Sequence, residues 1–342
     1  MHLHYLRELN DRFEVAAVCD LSRTVADRVG EAYGVGRRFT DWTALLEEPL
    51  DAVLILTSGS HEPLAVAAAR AGRHVFIEKP IALSETEGKA IIAAGKKAGV
   101  RLMVGYMKRY DPAVERMTEE LQGLKPLRFV RSTTAEYPLK WYVAHYPIVR
   151  GTDIDAKTVA ALQAEDEARV TAAIQLTDPV LRYAYRHSLL DSMIHDLNLM
   201  RGLLGEPKGL RFASVAQAAI SVFLEFPQTT AAMHWVNLTD GVARYQQDFS
   251  FFSPERRAAL VFPSPFLRNA PVELVLEGGS QESSRSWRTV ETVSFESGFK
   301  RELLEFYACV TENREPRTTA EEAVRDVALC QAIIQQHLAA RV

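Results

Sequence analysis

Residues 14–110 alternate short apolar runs with stretches of helical period. The runs are Val15–Cys19, Val53–Leu56, His74–Ile77 and Leu102–Val104, each continuous and apolar, as strands covered on both faces require. Between them, Thr24–Tyr33, His61–Ala71 and Ser84–Ala98 carry apolar residues three and four apart and predict helices, the last with Ser84 as N-cap and Glu87 at the capping-box position. Gly34, Gly72 and Gly99 fall where a left-handed residue lets the chain leave a helix. Such alternation predicts the α/β class, a Rossmann-type doubly wound parallel sheet.

Beyond residue 125 the runs lengthen and grow richer in β-branched and aromatic residues: Leu127–Thr134, Ala218–Phe226, Thr229–Leu238, Tyr245–Phe252 and Ala258–Phe262. They predict a second, α+β domain with a large, mostly antiparallel open sheet, one face on helices and the other toward solvent or a partner. Gly278–Ser286 reads as a polar loop, and Lys300–Thr311 and Thr319–Ala340 as amphipathic helices. The expected division is 1–122 and 123–342, with the helices of 300–340 packing back toward the first domain. Pro138–Leu181 reads as an insertion bearing Trp141, Tyr142, His145, Tyr146 and Arg150 ahead of a helix from Ala156 to Ile174. Its aromatics and arginine suit a sugar or carboxylate lid, and a helical flap packed through Val159, Leu162 and Ile174 suits it equally.

Composition narrows the function. The 342 residues are 47% hydrophobic and 25% charged with a net charge of -4, which gives no basic field for nucleic acid. No uncharged apolar run approaches the ~20 residues of a membrane span, and the first residues do not resemble a signal peptide, so the cytoplasm is expected. Cys19, Cys309 and Cys330 lie too far apart in sequence for zinc-site spacing and read as buried thiols. His2 and His4, two apart, face different sides of a helix and read as surface or packing residues, so no metal is expected.

Asp20 ends the first visible strand, where a dinucleotide fold uses an acidic residue to hold the adenosine ribose 2'-hydroxyl. That favours NAD, while Ser22 and Arg23 directly after it keep a 2'-phosphate, and hence NADP, open. Alone, Asp20 would read as a turn residue. Context comes from Gly72-Arg73-His74-Val75-Phe76-Ile77-Glu78-Lys79-Pro80, a buried strand delivering Glu-Lys-Pro to the edge at which open α/β sheets bind ligands. This passage resembles the G-K-H-V-x-x-E-K-P signature of the glucose-fructose oxidoreductase / inositol dehydrogenase / MocA family. Thr57 with His61 is similar to that family's T-P-x-x-x-H turn, with Ser58 in place of proline, and Gly105–Pro112 resembles its G-x-x-x-R-F-x-P, with Tyr110 in place of phenylalanine. Asp191-Ser192-Met193-Ile194-His195-Asp196 resembles its D-x-x-x-H-D helix.

Independently of any family, Asp191 and His195 are four apart and share one face of a helix, so the carboxylate can orient the imidazole. The resemblance implies an NAD-dependent, alternatively NADP-dependent, oxidoreductase acting on a secondary alcohol or ketone of a small polyhydroxy compound, with histidine as acid/base. Lys79, Asp191 and His195 are the catalytic candidates, Lys79 with its pKa lowered near a cationic nicotinamide. Asp20, Ser22, Arg23, Thr57, His61, Glu78, Lys79 and Arg109 are the cofactor candidates, and Trp141, Tyr142, Arg150 and His187 the substrate candidates. A homodimer or homotetramer through the second sheet is expected.

Two departures from the pattern stand out. Met1–Leu9 reads as the second half of the helix that follows a G-x-G-x-x-G/A loop, so a first strand and loop of roughly two dozen residues is missing and the strands at Val15 and Val53 lose their shared neighbour. A start further upstream is the favoured explanation, a natural shortening the other. Tyr185–Leu189 stands where the family often has paired glycines, so His187 is either a further pocket residue or an exposed one. A non-catalytic assembly partner and a non-redox lyase or epimerase are the competing readings.

Overall fold

The alternating pattern of the first hundred residues becomes helix and parallel strand in strict succession. In the computed structural model, which describes residues 1–238, 244–280, 282 and 284–340, these are α1 (His2–Glu8), β1 (Ala17–Cys19), α2 (Arg23–Tyr33), β2 (Arg37–Phe39), α3 (Trp42–Leu46), β3 (Ala52–Ile55), α4 (Glu62–Arg70), β4 (His74–Glu78), α5 (Glu85–Ala98) and β5 (Leu102–Gly105). A 3₁₀ turn (Met107–Tyr110) leads to α6 (Pro112–Gly123), β6 (Phe129–Glu136), α7 (Lys140–Val143), α8 (Ala156–Ile174) and α9 (Pro179–Tyr183). A π-helical stretch (Ala184–Met193) runs directly into α10 (Ile194–Leu204). The strands β7 (Gly209–Val215), β8 (Ala219–Glu225), β9 (Thr230–Asn237), β10 (Gln246–Phe252), β11 (Arg256–Phe262), β12 (Glu273–Ser280) and β13 (Arg285–Thr292) precede α11 (Gly298–Thr311) and α12 (Ala320–Ala339). No helix among the described residues is long and apolar enough to cross a membrane.

The chain forms two interleaved units. One comprises Met1–Gly105, Ala144–Gln175 and Glu302–Val327; the other comprises Tyr106–Val143, Leu176–Arg301 and Ala328–Val342. Most of the insertion and part of the last helices therefore belong with the alternating segment, and the 3₁₀ turn and α6 with the large sheet, a finer partition than a single cut at 122/123.

In the first unit β3, β4 and β5 form one parallel ladder, with Ile55 opposite Ile77 and Ile77 opposite Val104, while β1 pairs in parallel with β2. No ladder among the described residues joins β1 to β3. Ile55, Val75, Phe76, Ile77 and Val104 are all at most 1% exposed, which accounts for the unbroken apolar runs. Local signals worked as expected: Ser84 Oγ accepts the Glu87 N–H at 3.2 Å, and Gly34, Gly72 and Gly99 take φ of 72°, 75° and 69°.

The second unit holds an eight-stranded sheet in the order β13-β12-β11-β10-β6-β9-β8-β7. Its ladders are antiparallel except β6 with β9. Its ends differ from expectation, because β7, β12 and β13 were not visible in the sequence. In the segment read as a polar loop, Gly278 pairs with Trp287 and Ser280 with Arg285 in the β12–β13 ladder, while 281 and 283 lie outside the described residues.

Of the two roles open to His2, packing is the one realised: it is buried, with Phe76 5.5 Å away across the ring edges. Two corrections concern other side chains. Cys19 is half-buried, unlike Cys309 and Cys330. Helix α8 has the expected bounds, but Val159 and Leu162 are 37% and 50% exposed, and Val170 with Ile174 makes its apolar seat.

A buried acid fastens α1 to the sheet. His2 Nε2 lies 3.2 Å from Glu78 Oε1 and 3.3 Å from Glu302 Oε1. Glu302 is 0% exposed, and burial, reinforced by the Glu78 charge, pushes its carboxyl well above the usual range; burial likewise pulls His2 down to about 3. Both therefore sit neutral in the fold near pH 7, with Glu302 able to donate its proton. An acid whose folded pKa is raised stabilises the fold below its unfolded value of about 4.3 and loses that contribution as pH rises. His2 acts oppositely, weakening the fold as pH falls below about 6.5. Glu302→Gln should accordingly gain stability relative to wild type between pH 5 and pH 8 in urea unfolding; an equal difference at both pH values would mean that Glu302 is ionised in the fold.

Candidate functional site

The first unit gathers its chemistry at the carboxyl ends of β1, β3 and β4. Asp20 follows β1, and its Oδ1 accepts the Ser22 N–H at 2.8 Å. No protein donor among the described residues reaches its second oxygen. Ser22, buried, caps α2 by accepting the Val25 N–H at 3.1 Å. A carboxylate with one open oxygen beside a helix N-terminus fits a ribose hydroxyl. Arg23 turns away from that point, to the Arg38 carbonyl at 3.1 Å and Thr40 Oγ1 at 3.5 Å.

Beyond β3, Thr57 is exposed and offers its carbonyl to His61 Nε2 at 2.8 Å, while His61 Nδ1 faces the Pro80 carbonyl at the same distance. The buried imidazole thus ties the β3–α4 loop to the Glu78-Lys79-Pro80 turn. Glu78 turns back on its own chain, Oε2 accepting the Lys79 N–H at 3.0 Å while Oε1 meets His2. Glu78 and His61 shape the turn, and half-buried Lys79 is the side chain it presents.

The second unit carries Asp191 and His195, and the structure alters the helix expected to hold them. Asp191 lies in the π-helical stretch, His195 in the first turn of α10. π-Turns widen the backbone helix and recur at functional sites. Asp191 is exposed; His195 is half-buried, edge-on to the Tyr106 ring at 5.9 Å.

Around this pair lie residues for which the sequence suggested no role. Asp196, 2% exposed, accepts Thr134 Oγ1 at 2.5 Å and Gln247 Nε2 at 2.6 Å, with Lys108 Nζ 3.5 Å away. Burial raises its pKa against the pull of Lys108. Lys108 also lies over the Phe262 ring at 5.7 Å. Glu136, at the end of β6, accepts the Ser192 hydroxyl, which itself accepts Trp235 Nε1–H at 2.8 Å. Burial raises the Glu136 pKa, and the Asp191 and Asp196 charges add to it. Tyr245 donates its hydroxyl to Gln247 Oε1 at 3.0 Å and its N–H to Tyr142 Oη at 2.6 Å. Acidic, amide and phenolic groups linked in this way can hold the hydroxyls of a polyhydroxy molecule. Thr134, Glu136 and Gln247 lie on strands already rich in polar residues, so nothing in the sequence set them apart.

Other candidates sit elsewhere. Arg109 reaches Asn198 Oδ1 at 3.3 Å in the second unit, where a side chain on Gly202 would collide with its guanidinium. Trp141 is 61% exposed, and exposed His187 stacks on Tyr183 at 4.8 Å. Arg150 is exposed and belongs to the first unit, apart from Trp141, Tyr142 and His187 in the second.

Comparison with known proteins bears on the family and the fold. Residues 1–106 match the model of the oxidoreductase family with an NAD-binding Rossmann fold. A D-apiose dehydrogenase of Paraburkholderia graminis is 27% identical over 97% of this chain and 82% of its own length. A myo-inositol 2-dehydrogenase of Thermotoga maritima is 32% identical over 36% of this chain and 37% of its own. Among solved structures, an aldose-aldose oxidoreductase from Caulobacter crescentus superposes with a TM-score of 0.70 at 21% identity, covering 96% of this chain and 90% of that one. A 3-ketoreductase from Actinomadura kijaniata, in complex with NADP, reaches 0.73 at 18% identity, covering 98% and 92%. These two likenesses show the fold.

The Lys108–Asp196 pair provides a test of the site's foundation. Lys108→Met leaves a buried carboxylate without its cation and should cost about 3–5 kcal/mol in urea unfolding. Adding Asp196→Asn should recover more than half of that; no recovery would mean that the two residues act independently.

Proposed function

We propose that this chain, a member of the glucose-fructose oxidoreductase / inositol dehydrogenase / MocA family through residues 1–106, is a nicotinamide-dependent dehydrogenase or reductase of a sugar, cyclitol or related polyhydroxy compound. The observation that carries the reading is a parallel sheet whose carboxyl edge presents Asp20 with an open oxygen and the Glu78-Lys79-Pro80 turn. The apiose and inositol dehydrogenases it resembles support the substrate class.

In this reading Asp20 holds the adenosine ribose, and Thr57, His61, Glu78 and Arg109 shape the cofactor and substrate mouths. The nicotinamide, when bound, accepts or returns the hydride. The chain's own part is proton transfer. His195 takes the proton of the reacting hydroxyl at a ring nitrogen and Asp191 steadies the imidazolium that results, while Lys79 is the catalytic candidate of the first unit. Glu136, Tyr142 and Tyr245 orient the other hydroxyls, with Trp141 and His187 at the rim. The same reading places the protein in the cytoplasm as a homo-oligomer. Phe212, Val261, Trp287 and Val290, 37–46% exposed on strands of the large sheet, support that sheet as the contact.

Substrate-dependent NADH formation with D-apiose, myo-inositol and D-xylose tests the activity. His195→Ala should lower kcat at least ~100-fold while leaving the NADH dissociation constant within about twofold. Equal losses in turnover and cofactor affinity would remove His195 from the acid/base role.

A further inference from the structure

The insertion after β6 lies outside the pattern this chain otherwise follows, and residues 144–175 belong to the first unit. Their attachments follow a line. Asp153 Oδ1 accepts the Ser22 hydroxyl at 2.5 Å and its Oδ2 the Thr24 N–H at 3.0 Å, both at the start of α2. Asp166 lies against Gly59 in the β3–α4 loop, 3.3 Å from where a β-carbon would stand. Arg169 donates to Glu87 Oε1 at 2.7 Å at the start of α5, with Glu62 of α4 3.7 Å away. All these points follow the carboxyl ends of parallel strands, the edge at which such sheets bind ligands. The insertion is a strap across the cofactor edge.

Its contact with α2 has a definite chemistry. The first turn of a helix offers N–H groups and a positive dipole end to an anion, and beside Asp20 that anion would be the 2'-phosphate that separates NADP from NAD. Here a carboxylate from 131 positions along the chain already holds two of the donors at that turn, the Ser22 hydroxyl and the Thr24 N–H. Asp20 keeps its second oxygen for a hydroxyl, and Arg23, the one cation beside it in sequence, is turned to Arg38 and Thr40.

Building on the dehydrogenase reading, we propose that Asp153 is the residue that selects NAD over NADP, its carboxylate occupying the donors that a 2'-phosphate would need. A phosphate arriving there carries a charge of about -1.5 to -2 and meets two carboxylates, one of them tethered. Tethering acts as an effective concentration near millimolar, which a free cofactor must outcompete. A ribose hydroxyl donates to Asp20 and needs none of these groups. The Ser22 hydroxyl and the Thr24 N–H hold the Asp153 carboxyl down at about 2, so it stays anionic across the working range. Gly151 makes the seat possible, because a β-carbon there would collide with Ser22 Oγ.

Fluorescence titration of the full chain with NADH and NADPH tests this in wild type, Asp153→Ala and Gly151→Val. Asp153 is exposed, so the alanine variant should fold, and Gly151→Val displaces the strap by a different route. The wild type should bind NADH at least tenfold more tightly than NADPH, and each variant should raise the NADPH-to-NADH affinity ratio at least fivefold. A wild type preferring NADPH, an unmoved ratio in both variants, or an equal gain for both cofactors overturns the proposal, the last marking the strap as a general cover. NADH binding with an unmoved ratio sinks Asp153's role alone. No binding of either dinucleotide by any form sinks the dehydrogenase reading with it.

Discussion

A carboxyl group taken out of water must be neutralised or supplied with donors, and both units of this chain build their chemistry around one that is. The two solutions differ. Glu302 stays protonated, and with His2 it anchors Glu78, whose other oxygen holds the Lys79 N–H. The turn that presents Lys79 is thereby fixed from behind. Asp196 instead collects Thr134, Gln247 and Lys108 from two strands and a 3₁₀ turn. Those bonds fix the start of α10 and so the backbone of the adjacent His195. Each buried acid costs stability if its partners are lost, and that cost keeps the neighbouring reactive side chain in one place.

The π-helical stretch adds a second constraint. One residue after Asp191, the Ser192 hydroxyl accepts the Trp235 indole N–H and donates to Glu136. One oxygen of Glu136 is thereby committed. The second unit then holds an exposed carboxylate, Asp191, and a half-buried carboxyl, Glu136, whose pKa is raised by desolvation. Placing carboxyl groups in unlike surroundings is how a site separates proton acceptors from donors.

How much of this was legible depended on how local the cause was. Buried parallel strands appear as unbroken apolar runs, and Ser84 and the three left-handed glycines act within a few residues of themselves. Helix α8 had its bounds in sequence because Asp155 caps it, accepting the Thr158 N–H at 2.9 Å. Strand β13 was invisible for the opposite reason: nearly all of its residues are exposed, so no face alternates. The π-helix has no composition of its own. The Lys108–Asp196 pair spans 88 positions, and nothing near either residue announces the other. His2 could be read as a surface or a packing histidine because its partners, Glu78 and Glu302, are supplied by the fold.

Cofactor choice shows the same division between local and distant causes. The segment Asp20-Leu21-Ser22-Arg23 reads two ways, an acid for a hydroxyl or a serine and arginine for a phosphate, and no nearby residue decides between them. In the folded chain most donors at the first turn of α2 are allotted: Ser22 N–H to Asp20, Thr24 N–H and the Ser22 hydroxyl to Asp153, and Val25 N–H to Ser22 Oγ. A helix start with most of its donors taken makes a poor anion site, whatever its dipole. What remains beside it is an acceptor, the open oxygen of Asp20, and an acceptor selects a ligand that arrives with a hydroxyl. Discrimination at such a site therefore comes from which donors the protein has already used, and a residue far along the chain can use them.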